Sequence, residues 1–302
     1  MGKPVHRAKI KAGMRAGKAA GRILDAQIAN VREHAPAALL GEVEGIHDLR
    51  VSIKRLRETL RLFRKLLPTR RRQVAMQLVE LLNDSLGEVR EPDVLCLDAA
   101  ELGREMEDDG GLLEIATAAW QTEREAAFER LLTLWSHLES EGLFDGLEEI
   151  ARRTRRRRRK ANRLDLEHFA YDAIRRAMRR VEDRLGPALD SEEPAPLHRL
   201  RIAIKRLRYG MEPFRPILPG LRAPWKLVSD AQELLGLAHD LDVMRDRLSE
   251  HIGELHEDRR HAGEKLLSLL DERRGERYSQ SRQVIALFAG SEFRQTVLDA
   301  ID

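Results

Sequence analysis

The chain has 302 residues, of which 42% are hydrophobic, 35% charged and 4% aromatic, with a formal net charge of +3. This composition argues against a disordered chain, and the absence of any run of about 18 apolar residues excludes a membrane-spanning helix. Cys96 is the single cysteine, which excludes an intramolecular disulfide or a cysteine-based zinc site and favours a reducing compartment.

Helical periodicity extends along almost the whole chain, and no convincing alternating strand is found. Good helix formers dominate, so the sequence predicts an all-α protein. The first half should form helices near residues 9–34, 46–67, 70–86, 93–107, 112–139 and 143–161. The second half should form them near 165–185, 197–215, 224–235, 241–261, 262–289 and 291–301. Glycine and proline predict breaks near residues 36–45, 68, 87–92, 110–111, 186–196, 216–224 and 236.

The N-terminus is basic but lacks the apolar stretch of a secretory signal, and no serine or threonine completes a myristoylation motif. The expected location is therefore the cytoplasm. No cofactor is expected.

Positive charge is concentrated in four segments, residues 1–22, 47–68, 151–163 and 198–219. Together they contain 29 basic and 3 acidic residues, against 25 basic and 48 acidic residues elsewhere. The four segments therefore carry a net charge of +26 and the rest of the chain carries −23, although the sum is only +3. Such segregation favours a focused positive field that binds a polyanion.

Two of the basic segments are copies of each other. Residues 47–68 and 198–219 are identical at 12 of 22 positions with an offset of 151, which is half the chain length. A weaker repeat relates residues 86–94 to 235–243. Internal duplication explains both, and it predicts two helical-bundle repeats, residues 1–150 and 151–302.

Each copy carries two parallel stripes at helical spacing. The first copy has an apolar seam at Leu49, Ile53, Leu56, Leu60, Phe63 and Leu67, and a polar stripe at His47, Arg50, Lys54, Arg57, Arg61 and Arg64. The second copy has its seam at Leu200, Ile204, Leu207, Met211, Phe214 and Leu218, and its stripe at His198, Arg201, Lys205, Arg208, Glu212 and Arg215. The seam steps by three and four residues, which is typical of a buried helix face.

A 22-residue helix is about 33 Å long, so each copy would offer one long row of cations. If the halves pack with pseudo-twofold symmetry, the two rows line a shared groove. The alternative is a solvated flank that pairs with neighbouring acids. The second row is interrupted by Glu212, and Pro213 and Pro216 should kink its helix near Gly210.

The repeated His-x-Leu-Arg-(Val/Ile)-x-Ile-Lys-Arg-Leu-Arg motif, with its following Phe-Arg, Leu-Pro, Leu-Gly and Asp-Val elements, resembles the CHAD (conserved histidine α-helical) domain over essentially the whole chain. The resemblance implies two four-helix bundles about a pseudo-twofold axis with a basic central groove or pore. It implies binding of inorganic polyphosphate and association with polyphosphate granules. It adds Arg55 and Arg206 to the stripe residues as binding cations. The predicted site is His47, Arg50, Lys54, Arg55, Arg57, Arg61, Arg64, His198, Arg201, Lys205, Arg206, Arg208 and Arg215.

The residue types suit polyphosphate, because arginine offers a forked donor to phosphate oxygens and histidine gains charge as pH falls. Aromatic stacking platforms for nucleic-acid bases are scarce in the motif helices. Nucleic-acid binding through the arginine run 155–159 and the basic start remains an alternative partner.

A metal-dependent polyphosphate hydrolase is the second alternative. Its metal would be held by the acids at 84–93 and 230–242, with Asp93 and Asp242 as test positions. These acids also suit helix caps and neutralisation of the basic stripe, and no nucleotide-binding loop or zinc-protease motif is present. The sequence therefore favours binding without catalysis and predicts no metal site.

Overall fold

A computed structural model describes residues 5–105, 110–157, 159–190 and 194–301 of the chain. Within these ranges the backbone forms α-helices and short 3-10 turns, and the extended structure is limited to an isolated bridge between Arg15 and Asp165. The helices are α1 (Ala16–Leu39), α2 (Val43–Leu62), α3 (Thr69–Glu105), α4 (Leu112–Ser140), α5 (Leu143–Arg156), α6 (Lys160–Arg163), α7 (Leu166–Asp190), α8 (Pro194–Met211), α9 (Arg222–Ser249), α10 (Glu257–Ala289) and α11 (Ser291–Asp299). The predicted all-α class is confirmed.

The helices pack as two bundles that meet at the motif helices. In the first bundle α1 packs on α2 and α5, while α3 packs on α2 and α4. In the second, α8 packs on α7 and α9, and α10 packs on α7 and α9. Helix α2 contacts α8 across the junction. The division of the chain at residue 150 and its origin by duplication stay predictions.

The predicted apolar seams form the core between the bundles. Leu49, Leu56, Leu200 and Leu207 are fully buried in one cluster that spans both halves. A smaller cluster around Trp120 joins the ends of α3 and α4 to α9 and α10. The halves therefore share their apolar cores and do not bury them independently.

Two predicted helix breaks are wrong. Helix α3 continues through residues 87–92, and α9 continues through Gly236. A proline inside a helix removes one hydrogen bond, but Pro92 is buried and flanked by the buried Val89 and Leu95. Packing on both sides of the ring thus holds α3 in one piece. The predicted end of the helix 93–107 lies partly outside the described residues.

The motif helices end earlier than predicted, which shortens both cation rows. Helix α2 ends at Leu62, with Phe63 as its C-cap residue. Helix α8 ends at Met211 instead of kinking, and a 3-10 turn begins at Glu212, because the residue before Pro213 disfavours the helical conformation. The continuous helix predicted for 241–261 is also interrupted after Ser249.

Helices α1 and α2 cross closely at Gly45. A β-carbon at Gly45 would lie 2.6 Å from the backbone carbonyl carbon of Ala37, and backbone atoms cannot rotate away as a side chain can. We expect Gly45→Ala to lower the free energy of unfolding by about 1–3 kcal/mol through overpacking. Chemical denaturation measures this change, and Gly146→Ala is the control because its added β-carbon meets nothing within 4 Å. Equal stability of the two variants would contradict the observed crossing.

Across the described part of the chain, no helix combines the length and apolarity needed to cross a membrane.

Candidate functional site

Five cations from the two motif helices lie together where α2 faces α8. We call this set the basic groove: Arg50, Lys54 and Arg57 from α2, with Arg201 and Lys205 from α8. The charges of the other four act on Lys54, and those of the three arginines act on Lys205. The structure thus brings the middle parts of the two predicted rows into one site.

The two lysines of the groove have strongly lowered pKa values. Burial, followed by repulsion from Arg50 and Lys205, lowers the pKa of Lys54 from 10.5 to about 6. Burial and the nearby Arg57 lower the pKa of Lys205 from 10.5 to about 8. Such shifts mean that positive charge is crowded here without enough negative charge to offset it. A bound anion would supply the missing charge.

The arginines of the groove retain unused donors. The Nε atoms of Arg50, Arg57 and Arg201 are buried and have no hydrogen-bond partner among the described residues. Buried donors are nearly always paired in folded proteins. The Nε atoms of Arg206 and Arg215 share this property, so the crowding of cations around Lys54 and Lys205 is the feature that distinguishes the groove as a site for an anion.

Histidines lie beside the groove in each half. The pKa of His47 is lowered by burial and by the charge of Arg90 on α3. In the other half the rings of His198 and His239 lie 5.5 Å apart, and burial and Arg201 lower the pKa of both. These histidines gain positive charge only below their usual pKa, or when an anion arrives.

A cavity opens beside the groove in each half. The cavity in the first half measures about 560 Å³ and is lined by Arg50 and Gly87, among others. The cavity in the second half measures about 390 Å³ and is lined by His198, Arg201 and His239, among others. Solvent-filled space therefore reaches the groove arginines from both halves.

Acidic side chains also approach the groove. Burial raises the pKa of Asp240 on α9, although the charges of Arg201, Lys54 and Arg50 oppose this effect. Asp98 on α3 lies near Asp240, and its pKa is likewise raised by burial and then by that carboxylate. Glu58 lies 3.5 Å from Nη2 of Arg57, and the charges of Glu91 and Asp84 act on Arg50. These acids offset part of the cationic charge, but burial and the neighbouring cations still lower the pKa of both groove lysines.

Several predicted binding cations lie outside the groove in ion pairs. Arg55 pairs with Glu212 across the two halves, with Nε 3.2 Å from Oε1. Arg61 donates to Glu58, with Nη1 2.6 Å from Oε1. The interruption of the second row by Glu212 is thereby explained, because this acid holds the motif helices together.

The remaining predicted cations are not among the charges that act on the two groove lysines. Arg215 stacks 3.8 Å over the ring of Trp225, and Arg208 is 1% exposed beside the ring of Tyr209. Arg64 is exposed beyond the end of α2, and burial and the charge of Arg180 lower its pKa. Burial and the charge of Arg61 lower the pKa of Arg206.

Four arginines of the arginine-rich segment 151–163 form structural contacts. Arg155 pairs with Asp25, and Arg152 and Arg153 both donate to Glu149. Arg157 donates to the carbonyl oxygen of Leu67 at 2.6 Å. Of the predicted arginine run, Arg158 lies outside the described residues. These contacts explain much of the charge in this segment without a ligand.

The acids proposed as metal ligands are engaged by cations. Asp93 accepts from Arg124 at 2.5 Å, and Asp242 accepts from Arg274 at 2.7 Å and from Tyr278 at 2.5 Å. In the described ranges, no three His, Cys, Asp or Glu side chains are grouped so that they could hold a metal ion.

The site contains residues that the sequence did not predict as part of it. These are Gly87, Arg90, Asp98, His239 and Asp240. All except Asp98 lie within the weaker repeat of 86–94 and 235–243. This repeat was the one feature of the sequence that could have identified them as part of the site. Its pairing of Gly87 with Gly236 and of Arg90 with His239 marks positions that flank the groove.

Gly87 allows α3 to approach the guanidinium of Arg50. A β-carbon at Gly87 would lie 3.3 Å from Nη2 of Arg50, whereas one at Gly236 would meet nothing within 4 Å. Both Gly→Ala changes should stabilise their helices by about 0.5–1 kcal/mol. We expect only Gly87→Ala to weaken anion binding, by about threefold to tenfold, because it displaces a groove arginine. Parallel affinity and denaturation measurements on the two variants test this, and equal affinities would contradict it.

This fold and site define a class of all-α proteins. Its members have two helical bundles and a cation-lined groove between the motif helices. The sequence model described as "CHAD domain" matches residues 22–249, which is most of the chain. The chain therefore belongs to the CHAD domain family.

Solved structures share this fold. The CHAD domain from the plant Ricinus communis aligns with a TM-score of 0.71 and 24% identity, covering 94% of this chain and 97% of that one. PptA from Streptomyces chartreusis aligns with a TM-score of 0.64 and 18% identity, covering 91% and 99%. No curated protein matches the sequence.

Proposed function

We propose that this chain binds inorganic polyphosphate in the basic groove and does not hydrolyse it. The observation that carries the proposal is the crowding of five cations from the two motif helices in the basic groove. Membership of the CHAD family supports the same ligand, since the motif resemblance implies polyphosphate binding and association with polyphosphate granules.

The geometry favours a base-free polyanion over nucleic acid. Phe63 and Phe214 are fully buried, and Tyr209 is 8% exposed, so none of the motif aromatics offers an open face for stacking. Base stacking on aromatic side chains is the usual means of binding single strands. Within the arginine run 155–159, Arg155 and Arg157 are also engaged in contacts within the protein.

Direct competition tests the choice of ligand. Labelled long-chain polyphosphate is bound to the protein at about 0.15 M salt and challenged with duplex DNA, RNA or unlabelled polyphosphate at equal phosphate concentration. We expect only polyphosphate to displace the label efficiently. Displacement by DNA or RNA at the same phosphate concentration would overturn the proposal in favour of a nucleic-acid-binding protein.

The absence of hydrolysis is tested separately. We expect no release of orthophosphate from polyphosphate in the presence of Mg²⁺. Release that is abolished by Asp93→Asn or Asp242→Asn would establish the hydrolase alternative instead.

The affinity for polyphosphate should fall as pH rises. A bound polyanion stabilises the protonated forms of Lys54 and Lys205, whose pKa values are about 6 and 8 in the free protein, so binding takes up protons. We expect about a tenfold loss of affinity between pH 6 and pH 9 at constant ionic strength. Titration calorimetry in two buffers of different ionisation enthalpy measures the protons directly.

Replacing both groove lysines by arginine provides the control for this pH dependence. Lys54→Arg with Lys205→Arg keeps two cations in the groove but removes their titration, because arginine stays protonated. The pH profile should then flatten. A profile that is unchanged by the double substitution would assign the proton uptake to the histidines.

A further inference from the structure

Helix α7 carries a row of arginines that lies outside the predicted site. Arg176, Arg180 and Arg184 follow one another at a spacing of four residues, which places them on one side of the helix. Arg176 and Arg180 are exposed, and Arg184 is half-buried. Solvent, and any ligand dissolved in it, therefore has direct access to this row.

Arginines from three other segments extend the row into a cluster. We call this set the arginine face: Arg64, Arg72, Arg176, Arg180, Arg184 and Arg206. The charges of the two exposed α7 arginines and of Arg72 on α3 act on Arg64, which is itself exposed just beyond α2. The charge of Arg180 also acts on Arg206 of α8, a helix that packs directly on α7. Four segments thus contribute arginines to one open surface.

Little acidic charge offsets the arginine face. Asp172 lies 3.6 Å from Arg176, and Glu58, whose charge reaches the face, pairs with Arg61. Among the described residues, no carboxylate forms an ion pair with the other five arginines, including the exposed Asp183 on the same helix. Protein surfaces normally intersperse charges of both signs, so an exposed cluster of one sign indicates a surface that attracts a polyanion.

The arginine face continues the basic groove. Arg61 lies one helical turn beyond Arg57 of the groove, and its charge acts on both Arg64 and Arg206 of the face. On α8, Lys205 of the groove directly precedes Arg206. A polyanion that leaves the groove at this end therefore meets the arginine face within about 6 Å, the rise of one helical turn.

The first half has a different surface at the corresponding place. With an offset of 150 residues, all nine buried positions of α7 coincide with buried positions of α1, so the two helices present corresponding sides. In place of the arginine row, α1 has Ala26, Asn30 and His34. Asn30 is 1% exposed and exchanges hydrogen bonds of 2.8 and 3.0 Å with the backbone of His6. The N-terminal segment thus covers this side of α1, whereas the arginine row on α7 is open.

We propose that the arginine face is a second contact surface for polyphosphate, which a chain longer than the groove reaches as it leaves the groove. This inference rests on the proposed function, because the same chain must also occupy the groove. Arginine offers a forked donor to phosphate oxygens, and continuity with the groove favours the same polymer over a separate nucleic acid. The groove then binds polyphosphate of any length, and the arginine face adds affinity for long chains only.

Arg176→Gln with Arg180→Gln tests this surface, and Arg175→Gln with Arg179→Gln is the matched control. All four side chains are exposed on α7, and each double variant removes two positive charges. The control arginines project about 100° away around the helix. The probes are inorganic tripolyphosphate, which is short enough for the groove, and long-chain polyphosphate, each titrated at several salt concentrations.

We expect the first double variant to bind long-chain polyphosphate about tenfold more weakly, with a logarithmic salt slope smaller by about one, because two phosphate contacts are lost. Its affinity for tripolyphosphate should change by less than about twofold, since the groove is untouched. The control variant should keep its affinity for both probes within about threefold.

The outcomes separate this surface from the groove. Equal affinities of the two double variants for long-chain polyphosphate would overturn the arginine face and leave binding in the groove intact. A loss of duplex-DNA binding without a loss of long-chain polyphosphate binding would assign the face to nucleic acid and also overturn the proposal. If the native protein bound neither polyphosphate probe, the proposed function itself would fail, and the arginine face with it.

Discussion

Replacing Arg50, Arg57 and Arg201 together by glutamine is expected to weaken polyphosphate binding by about 100-fold or more at physiological salt. Each arginine contributes a charge-assisted hydrogen bond worth about 1.5–3 kcal/mol, and the three act on one ligand, so their effects are not independent. The salt dependence should also fall by about two in its logarithmic slope, because three phosphate contacts are lost. Equilibrium binding at several salt concentrations measures both quantities.

A matched control separates the groove from the net charge. Arg152, Arg153 and Arg294 lie on exposed surfaces, paired with Glu149 or Glu182. Replacing these three by glutamine removes the same formal charge from positions outside the groove. We expect less than a threefold change in affinity, since exposed ion pairs contribute little and lie away from the ligand. If both triple variants lost affinity equally, the binding site would not be the basic groove.

The triple variant should remain folded, and it should be at least as stable as the native chain. The groove arginines repel one another and burial lowers the pKa of Arg50 and Arg201, so their removal relieves unfavourable charge in the unliganded protein. Circular dichroism and thermal melting check this. A variant with lower affinity for polyphosphate but an unchanged or higher melting temperature would show that the groove arginines favour ligand binding and not the stability of the unliganded protein.

Phe63→Ala is expected to cost about 3–5 kcal/mol of unfolding free energy. The ring of Phe63 is fully buried and lies 5.3 Å from Phe169 and 6.2 Å from Phe214. These two partners belong to the second half of the chain, so the three rings join the bundles directly beneath the ends of the motif helices. Truncation would leave a cavity that the surrounding helices cannot close without moving the groove.

Urea denaturation of Phe63→Ala and Phe63→Leu measures the effect of this cluster. The leucine variant keeps most of the apolar volume and should lose only about 1–2 kcal/mol. Leu132→Ala, at a side chain that is 37% exposed, should change stability by less than about 0.5 kcal/mol. A loss below about 1 kcal/mol for Phe63→Ala would contradict the packing of the three rings.

Helix boundaries show where local sequence signals fail. Gly87, Pro92 and Gly236 all resemble helix breakers, yet α3 and α9 pass through them. Each of these residues destabilises its helix by a few kcal/mol at most. Burial of the neighbouring side chains on either side offsets this loss. In contrast, Pro213 does end α8, because the preceding residue, Glu212, is restricted by the proline ring and leaves the α-helical conformation.

The binding residues show the same division between local and tertiary information. Residue spacing alone placed Arg50, Lys54 and Arg57 on one face of the first motif helix. The repeat placed Arg201 and Lys205 on the corresponding face of the second motif helix. Spacing could not distinguish these from Arg55, because its partner Glu212 lies in the other half of the chain. For Arg61 it could indicate the partner Glu58 on the same helix, but not the partner Glu80 on α3. Glu212 meets Arg55, and Glu80 meets Arg61, only in the folded protein.

The sequence by itself determined the all-α class, the buried seams and the identity of the cation-bearing helices. Each of these follows from residue periodicity within a single helix, which short-range spacing encodes. Only the tertiary structure decided which cations remain without enough negative charge around them. That outcome depends on distances between residues far apart in the chain, and it distinguishes Lys54, which is crowded by cations, from the neighbouring Arg55, which is paired with Glu212.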